Sequence, residues 1–299
     1  MIQLRRAAKR LVRPSQLLFS FGGSVYGVFG IGDARSTGAL LFWTGFTGFF
    51  YFSTLGSFHE AAHQTLFRSR GLNVWFGRAY GTMIGLPYTA YRTSHALHHA
   101  NLLQPGDWEF WPYCDPGVSL RFRRVFVWVD LLLGPITGPY LFSRVYHSRS
   151  SPLPPRIRRV IAREYLASLA FWTALLVLVS QLGAWHKFLT YWIVPFWIAG
   201  SGFTFTKFME HLGRSDGDAY QATRTVLPDS IPSALLARAT LLISHLGLHH
   251  RYPHEPVALL HARSPGVHAA HFTSHFAQAL DTLRACLVSP GGGRNVKSS

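Results

Sequence analysis

The sequence predicts an all-α fold, an integral membrane helical bundle of about four transmembrane helices with interfacial helices and a cytosolic histidine-rich cap. Three observations carry this prediction. Hydrophobic residues make up 48% of the chain and charged residues only 14%, where a soluble domain carries about 25% charged residues. Apolar stretches close to the roughly 20 residues that a helix needs to cross a bilayer recur along the chain. The histidines gather in clusters at helical spacing, directly beside those stretches.

Residues 1–16 form a basic flank carrying Arg5, Arg6, Lys9, Arg10 and Arg13. No clear small-residue cleavage site follows before Asp33, so this flank reads as retained and cytosolic. Residues 17–288 form the membrane domain. Its first apolar stretch, Leu17 to Gly32, is short and Gly-rich; Thr37 to Ser57 is stronger and stops just before the first histidine cluster. Gly71 to Ala90 is interrupted by Arg78, and Val125 to Tyr146 contains Asp130, Gly134, Pro135, Gly138 and Pro139. Both read as helices lying at the interface or re-entering part way. Tyr165 to Leu182 and Phe188 to Phe208 are a tight pair of spans with a short turn at Trp185 and His186. The tail, 289–299, is Gly-rich and polar and is expected to be disordered.

The net charge is +16. Nucleic acid is the usual partner of so basic a chain, but the arginines are scattered between apolar stretches and no nucleic-acid module is recognisable. They read as positive-inside residues and as contacts to anionic lipid heads. The proposed outer turns hold only Arg35 and Lys187. Both termini and every histidine cluster then face the cytoplasm. Cys114 and Cys286 are the only cysteines, which makes no disulfide framework and no Cys-rich metal site.

Three clusters hold most of the 16 histidines' chemistry. The first is His59-Glu60-Ala61-Ala62-His63, the second His95-Ala96-Leu97-His98-His99, the third His245-Leu246-Gly247-Leu248-His249-His250. Residues three and four apart share a helix face, so each cluster presents imidazoles on one side. Imidazole suits Fe, Zn, Cu and Ni. These are too many ligands for one tetrahedral zinc and enough for two metals. Clusters that share a site must be separated by an even number of crossings. Taken alone, the first cluster also fits a zinc-protease HExxH, with Glu60 as general base; that reading leaves the other two clusters without a role.

The boxes HxxxH, HxxHH and HxxxHH, in this order around a pair of spans, resemble the membrane fatty acid desaturase family, with its related hydroxylases and carotenoid ketolases. The resemblance runs from about Thr37 to His261 and includes Phe67 to Asn73, Pro105-Gly106-Asp107, Glu210-His211-Leu212-Gly213, Thr223-Arg224-Thr225 and His249 to Pro256. Box three departs from the commoner pattern by one residue between its first two histidines. The resemblance implies two iron ions held by His59, His63, His95, His98, His99, His211, His245, His249 and His250, with O2 as co-substrate.

It further implies an acyl or membrane lipid substrate and an enzyme that introduces a double bond into it. No His-Pro-Gly-Gly sequence of a fused cytochrome b5 occurs, so a separate donor, ferredoxin-like or cytochrome b5-like, is implied. A bacterial cytoplasmic membrane is the expected location. A hydroxylase or ketolase would use the same ligands, because only the fate of the carbon radical differs. Hydrogen abstraction from an unactivated CH2 lies beyond any side-chain base and requires a redox metal. Glu60 is the candidate catalytic carboxylate, lying between two ligands. Asp107, Glu210, Asp216 and Asp218 are candidates to orient imidazoles. Arg92 is a candidate contact for an anionic head group, and the aromatic residues of the second and fourth stretches are candidate walls of an acyl tunnel.

Overall fold

The computed structural model describes residues 2–214, 218–226, 230–232, 235, 246–255, 260, 271–272, 274–288 and 290. The all-α expectation holds. Among the described residues the only strands are β1 (Thr225–Val226) and β2 (His271–Phe272), two residues each, paired in parallel.

Helix α1 (Ile2–Asp33) turns back into α2 (Thr37–Ala62), whose first turn is capped by the Ser36 hydroxyl accepting from Ala39 N. The two pack antiparallel. A side chain at Gly23, Gly27 or Gly30 would collide with Phe50, Thr47 or Trp43, with a closest approach of 2.2 to 2.4 Å. The glycines of the first apolar stretch are therefore the seat of α2's large side chains, as small residues are at membrane helix crossings. The Ser20 and Ser53 hydroxyls, 2.6 Å apart, satisfy one another at the same contact.

Two short helices follow, α3 (Arg70–Met83) and α4 (Tyr88–Ala100). The sequence reads Gly71 to Ala90 as one interfacial element. The chain instead breaks at Gly85, which takes a φ of +69°, and restarts after Pro87. Glycine adopts that conformation at no steric cost and proline cannot continue a helix. Helices α5 (Leu120–Leu132) and α6 (Gly134–His147) meet at a bend of 118°. This agrees with a segment that enters part way and returns. Helix α7 (Pro155–Gln181) ends at Gly183, with a φ of +60°. Helix α8 (Trp185–Phe188) then runs through a π turn, Leu189–Ile193, into α9 (Val194–His211). The short α10 (Leu246–Arg251) carries part of box three, and α11 (His275–Val288) closes the described chain.

Two described helices are long and apolar enough to cross a membrane, α7 and the continuous Trp185–His211 rod, or three if the bent α5–α6 pair is one span. The expected four are not reached on this measure. The apolar part of α1, Leu17–Asp33, is short. Helix α2 has 26 residues, but Thr44, Thr47, Thr54 and several glycines dilute its mean hydropathy.

The packed core lies at one end of the bundle. Burial in α2 is concentrated from Thr47 to Ala62, while Leu41 and Phe42 face outward. Helix α7 buries Ile161, Glu164, Ser168 and Val179 and turns Leu166, Leu169, Val177 and Leu178 outward, as a lipid-facing helix does. Gly48 of α2 meets Ile198 of α9, and Gly202 lies beside Phe52 further on. The two helices therefore run in the same direction and deliver their C-terminal ends, His59 to His63 and His211, to the same end of the molecule.

Candidate metal centre

At that end the imidazoles converge into two groups. His59, His63, His95 and His249 offer ring nitrogens within 4.8 Å of one another, and His98, His211 and His250 form a second such group. Helix α2 supplies the first pair, α4 supplies one member to each group, α9 supplies His211, and α10 supplies His249 and His250 to different groups. His99 joins the two, with its Nε2 3.2 Å from His95 Nε2 and its ring 4.3 Å from that of His250. Of the ligands that the resemblance implies, His245 lies outside the described residues.

One loop fastens both groups. Asp107 Oδ2 lies 2.8 Å from His98 Nδ1 and Glu109 Oε2 2.7 Å from His95 Nδ1. Asp107 also accepts the backbone N–H groups of Leu103, Glu109 and Phe110. Burial alone would raise the Glu109 acid, but the His95 and His98 imidazoles outweigh it and hold it at about 2. Glu109 is thus a carboxylate, and His95 Nδ1 donates to it, which turns His95 Nε2 inward. Burial would lower His98, yet the Asp107 and Glu109 carboxylates raise it to about 9, so a metal bound there would release a proton from His98. His211 Nδ1 donates to the Ala222 carbonyl at 3.1 Å, which fixes its tautomer in the same sense.

The donor set fits a metal. Burial, followed by the neighbouring imidazoles, pushes His249 down to about 3 and keeps His99 and His250 well below the usual histidine range. Neutral imidazole is the ligating form. His63 Nε2 and His95 Nε2 approach to 2.8 Å, close to the roughly 3 Å between two nitrogens that share an ion at about 2.1 Å. Among the described residues neither ring nitrogen of the buried His249 has a hydrogen-bond partner, a burial that is expensive without a ligand. No cysteine enters either group, and an all-imidazole set accommodates iron.

The second-shell expectations divide. Asp107 behaves as expected. Glu210 Oε2 stands 3.5 Å from His211 Nε2. Asp218 does not orient an imidazole: its Oδ1 caps its own turn by accepting from Tyr220 N and Gln221 N. Asp216 lies outside the described residues. Glu60 belongs to neither group; directly after His59 and rotated about 100° from it around the helix, it accepts at Oε2 from Thr65 Oγ1 at 2.8 Å. Arg92 is exposed on α4. Sequence reasoning missed Glu109. The available signal was its place two residues beyond Asp107, in the turn whose backbone N–H groups Asp107 accepts.

Beside the first group lies a narrow apolar cavity of about 50 Å³, lined by Leu55, Phe58, Tyr91, Phe142, Phe203 and Lys207 among others. Tyr91 stacks on His95, with ring centres 5.5 Å apart and planes 7° from parallel. Lys207 is neutralised by Asp130 at 3.0 Å, and Asp130 also accepts from Tyr113 OH and from Thr137 Oγ1.

Comparison with known proteins agrees with this geometry. The sequence model of the fatty acid desaturase family matches residues 36–276. The chloroplastic omega-3 fatty acid desaturase of Brassica napus is 28% identical over 174 residues, which is 53% of this chain and 41% of that protein. The sn-1 acyl-lipid omega-3 desaturase (ferredoxin) of Synechocystis sp. is 27% identical over 182 residues, 57% of this chain and 49% of that protein. A fatty acid desaturase of Bacillus subtilis is 26% identical over 164 residues, 52% of this chain and 45% of that protein. The aligned part thus spans under half the length of these relatives. With three histidine boxes folded onto one site and a family match over most of its length, the chain is a membrane protein and belongs to the fatty acid desaturase family.

Proposed function

We propose that this chain is a di-iron oxidoreductase that introduces a double bond into a fatty acyl chain, using O2 and electrons from a separate donor. The observation that carries this reading is the meeting of box one, box two and box three in two imidazole groups. Two groups support two irons, ligated by His59, His63, His95 and His249 on one side and His98, His211 and His250 on the other, with His99 between them. His245 is kept as a proposed ligand on the resemblance alone. The desaturase names of the relatives support an acyl substrate, and the word ferredoxin in one of them supports a small redox protein as donor.

Bound iron would supply the redox chemistry that removes hydrogen from an unactivated CH2. The protein's own residues do the rest. Asp107, Glu109 and the Ala222 carbonyl hold Nδ1–H bonds and so aim Nε2 inward. Tyr91 and Phe58 close the apolar cavity over His95 and exclude water, and an acyl chain entering from the bilayer would lie against Leu55, Phe142 and Phe203. Glu60, tied to Thr65, is assigned the support of box one from behind. The arginine distribution supports both termini and the histidines on the cytoplasmic side of the membrane.

The test is the lipid profile of an expressing host beside a His99→Ala control. New unsaturated acyl chains with the wild type only, and about two Fe per purified chain, are expected. A hydroxylated acyl product, or a change confined to carotenoids, would move the chain to the hydroxylase or ketolase branch. One Zn with no Fe would replace the redox reading with a zinc protease.

A further inference from the structure

One face of α3 forms the floor of an open groove of about 770 Å³ whose lining includes no histidine, with Phe171 of α7 as its far wall. The lining repeats along the helix as Arg70 and Gly71, Val74 and Trp75, Arg78 and Ala79, Thr82 and Met83. This spacing is a single helical stripe, about 20 Å long at 1.5 Å per residue. Its composition is graded. Arg70 stands in the first turn of α3 and Arg78 two turns on, about 12 Å along the axis, with Val74 and Trp75 between them; Ala79, Thr82 and Met83 continue to the end of the helix, where Trp172 Nε1 donates to the Thr82 carbonyl and pins the helix to the span. Trp75 on the stripe and Leu72 beside it are 70% and 52% exposed, as on an interfacial helix.

Arg78 is held in place. Its Nε donates to Glu164 Oε1 at 2.8 Å, and the carboxylate beneath it is nearly buried, with a side-chain exposure of 10% against 50% for the arginine. Among the described residues the Arg78 Nη groups make no hydrogen bond, so two donors of a fixed guanidinium point to the groove. The same Glu164 accepts from Thr89 N and Thr89 Oγ1 at the first turn of α4, the helix that bears box two. An apolar furrow beside a span, with one guanidinium at its start and a second, fixed one two turns on, is complementary to an anionic amphiphile. We infer that this groove is a binding site for an anionic glycerophospholipid, with its phosphate on Arg70 and Arg78 and an acyl chain along Val74, Ala79, Met83 and Phe171. Guanidinium and phosphate pair bidentately. The ligand here is bound and not consumed, and the inference is independent of the reaction proposed above.

The test uses the full chain, purified in detergent and equilibrated with micelles carrying equal amounts of phosphatidylglycerol and phosphatidylcholine. Native mass spectrometry then reads which lipid stays bound. The wild type is expected to retain phosphatidylglycerol preferentially, on the order of fivefold per engaged arginine, and inorganic phosphate is expected not to displace it. Arg70→Gln/Arg78→Gln should lose the preference. Ala79→Phe, which keeps both arginines and fills the groove from an exposed position, should lose the lipid. Equal retention of the two lipids by the wild type, displacement by inorganic phosphate, or wild-type retention by Ala79→Phe would each overturn the inference. If removing Arg78 unfolds the chain by stranding Glu164, Ala79→Phe decides alone. Retention is read without turnover, so a failed desaturase assay leaves this result standing.

Discussion

Each imidazole in this centre has two nitrogens, and the protein assigns them different work. At His95 and His98 the outer nitrogen is committed to Glu109 and Asp107, which leaves the inner one free. Glu109→Gln and Asp107→Asn should each weaken metal binding by about 10- to 100-fold, read as iron retained against a graded chelator. Asp107→Asn should also loosen the loop, because Asp107 accepts three backbone N–H groups. The histidines were legible because ligand spacing on a helix is local. Glu109 was not, because the partner of a loop carboxylate depends on how residues 101–119 fold back. Asp218 shows the converse: an acid seven residues beyond His211 caps its own turn.

At the scale of elements, the 118° bend between α5 and α6 was legible in Gly134-Pro135. Its fastening was not. Gly134 and Gly200 bring α6 and α9 so close that a Cβ at Gly134 would lie 2.6 Å from the Gly200 carbonyl. Next to this crossing Lys207 of α9 pairs with the fully buried Asp130 of α5. Removing one partner of a buried pair strands the other charge. Lys207→Met is therefore expected to cost roughly 3–5 kcal/mol, measured as lost thermal stability in detergent, and Lys207→Met with Asp130→Asn should recover part of it. The division of α3 from α4 escaped the sequence reading because a single positive-φ glycine leaves no mark on hydropathy.

For the whole molecule, composition announced a lipid-solvated bundle, and that much is borne out by the outward apolar faces of α1, α2 and α7. The number of spans was harder, because α1 and α2 exchange hydropathy for close packing through glycine and threonine. Orientation has its own test. With cytoplasmic histidines, a cysteine introduced at Ser150 should be shielded from a membrane-impermeant thiol reagent in intact cells. One introduced at Ala184, in the turn between α7 and α8, should be labelled. Native Cys114 and Cys286 are buried and should contribute little background.

The uneven burial along α2 has a mechanical consequence. Its first half packs on α1 at Trp43 and turns Leu41 and Phe42 outward, while its half from Thr47 onward is enclosed. A bilayer that thickens or thins must be met somewhere by tilting or rearrangement of helices. Here the yielding half is the one remote from the imidazoles, so the ligand geometry is insulated from the fluidity of the surrounding membrane, the property that a change in acyl unsaturation alters.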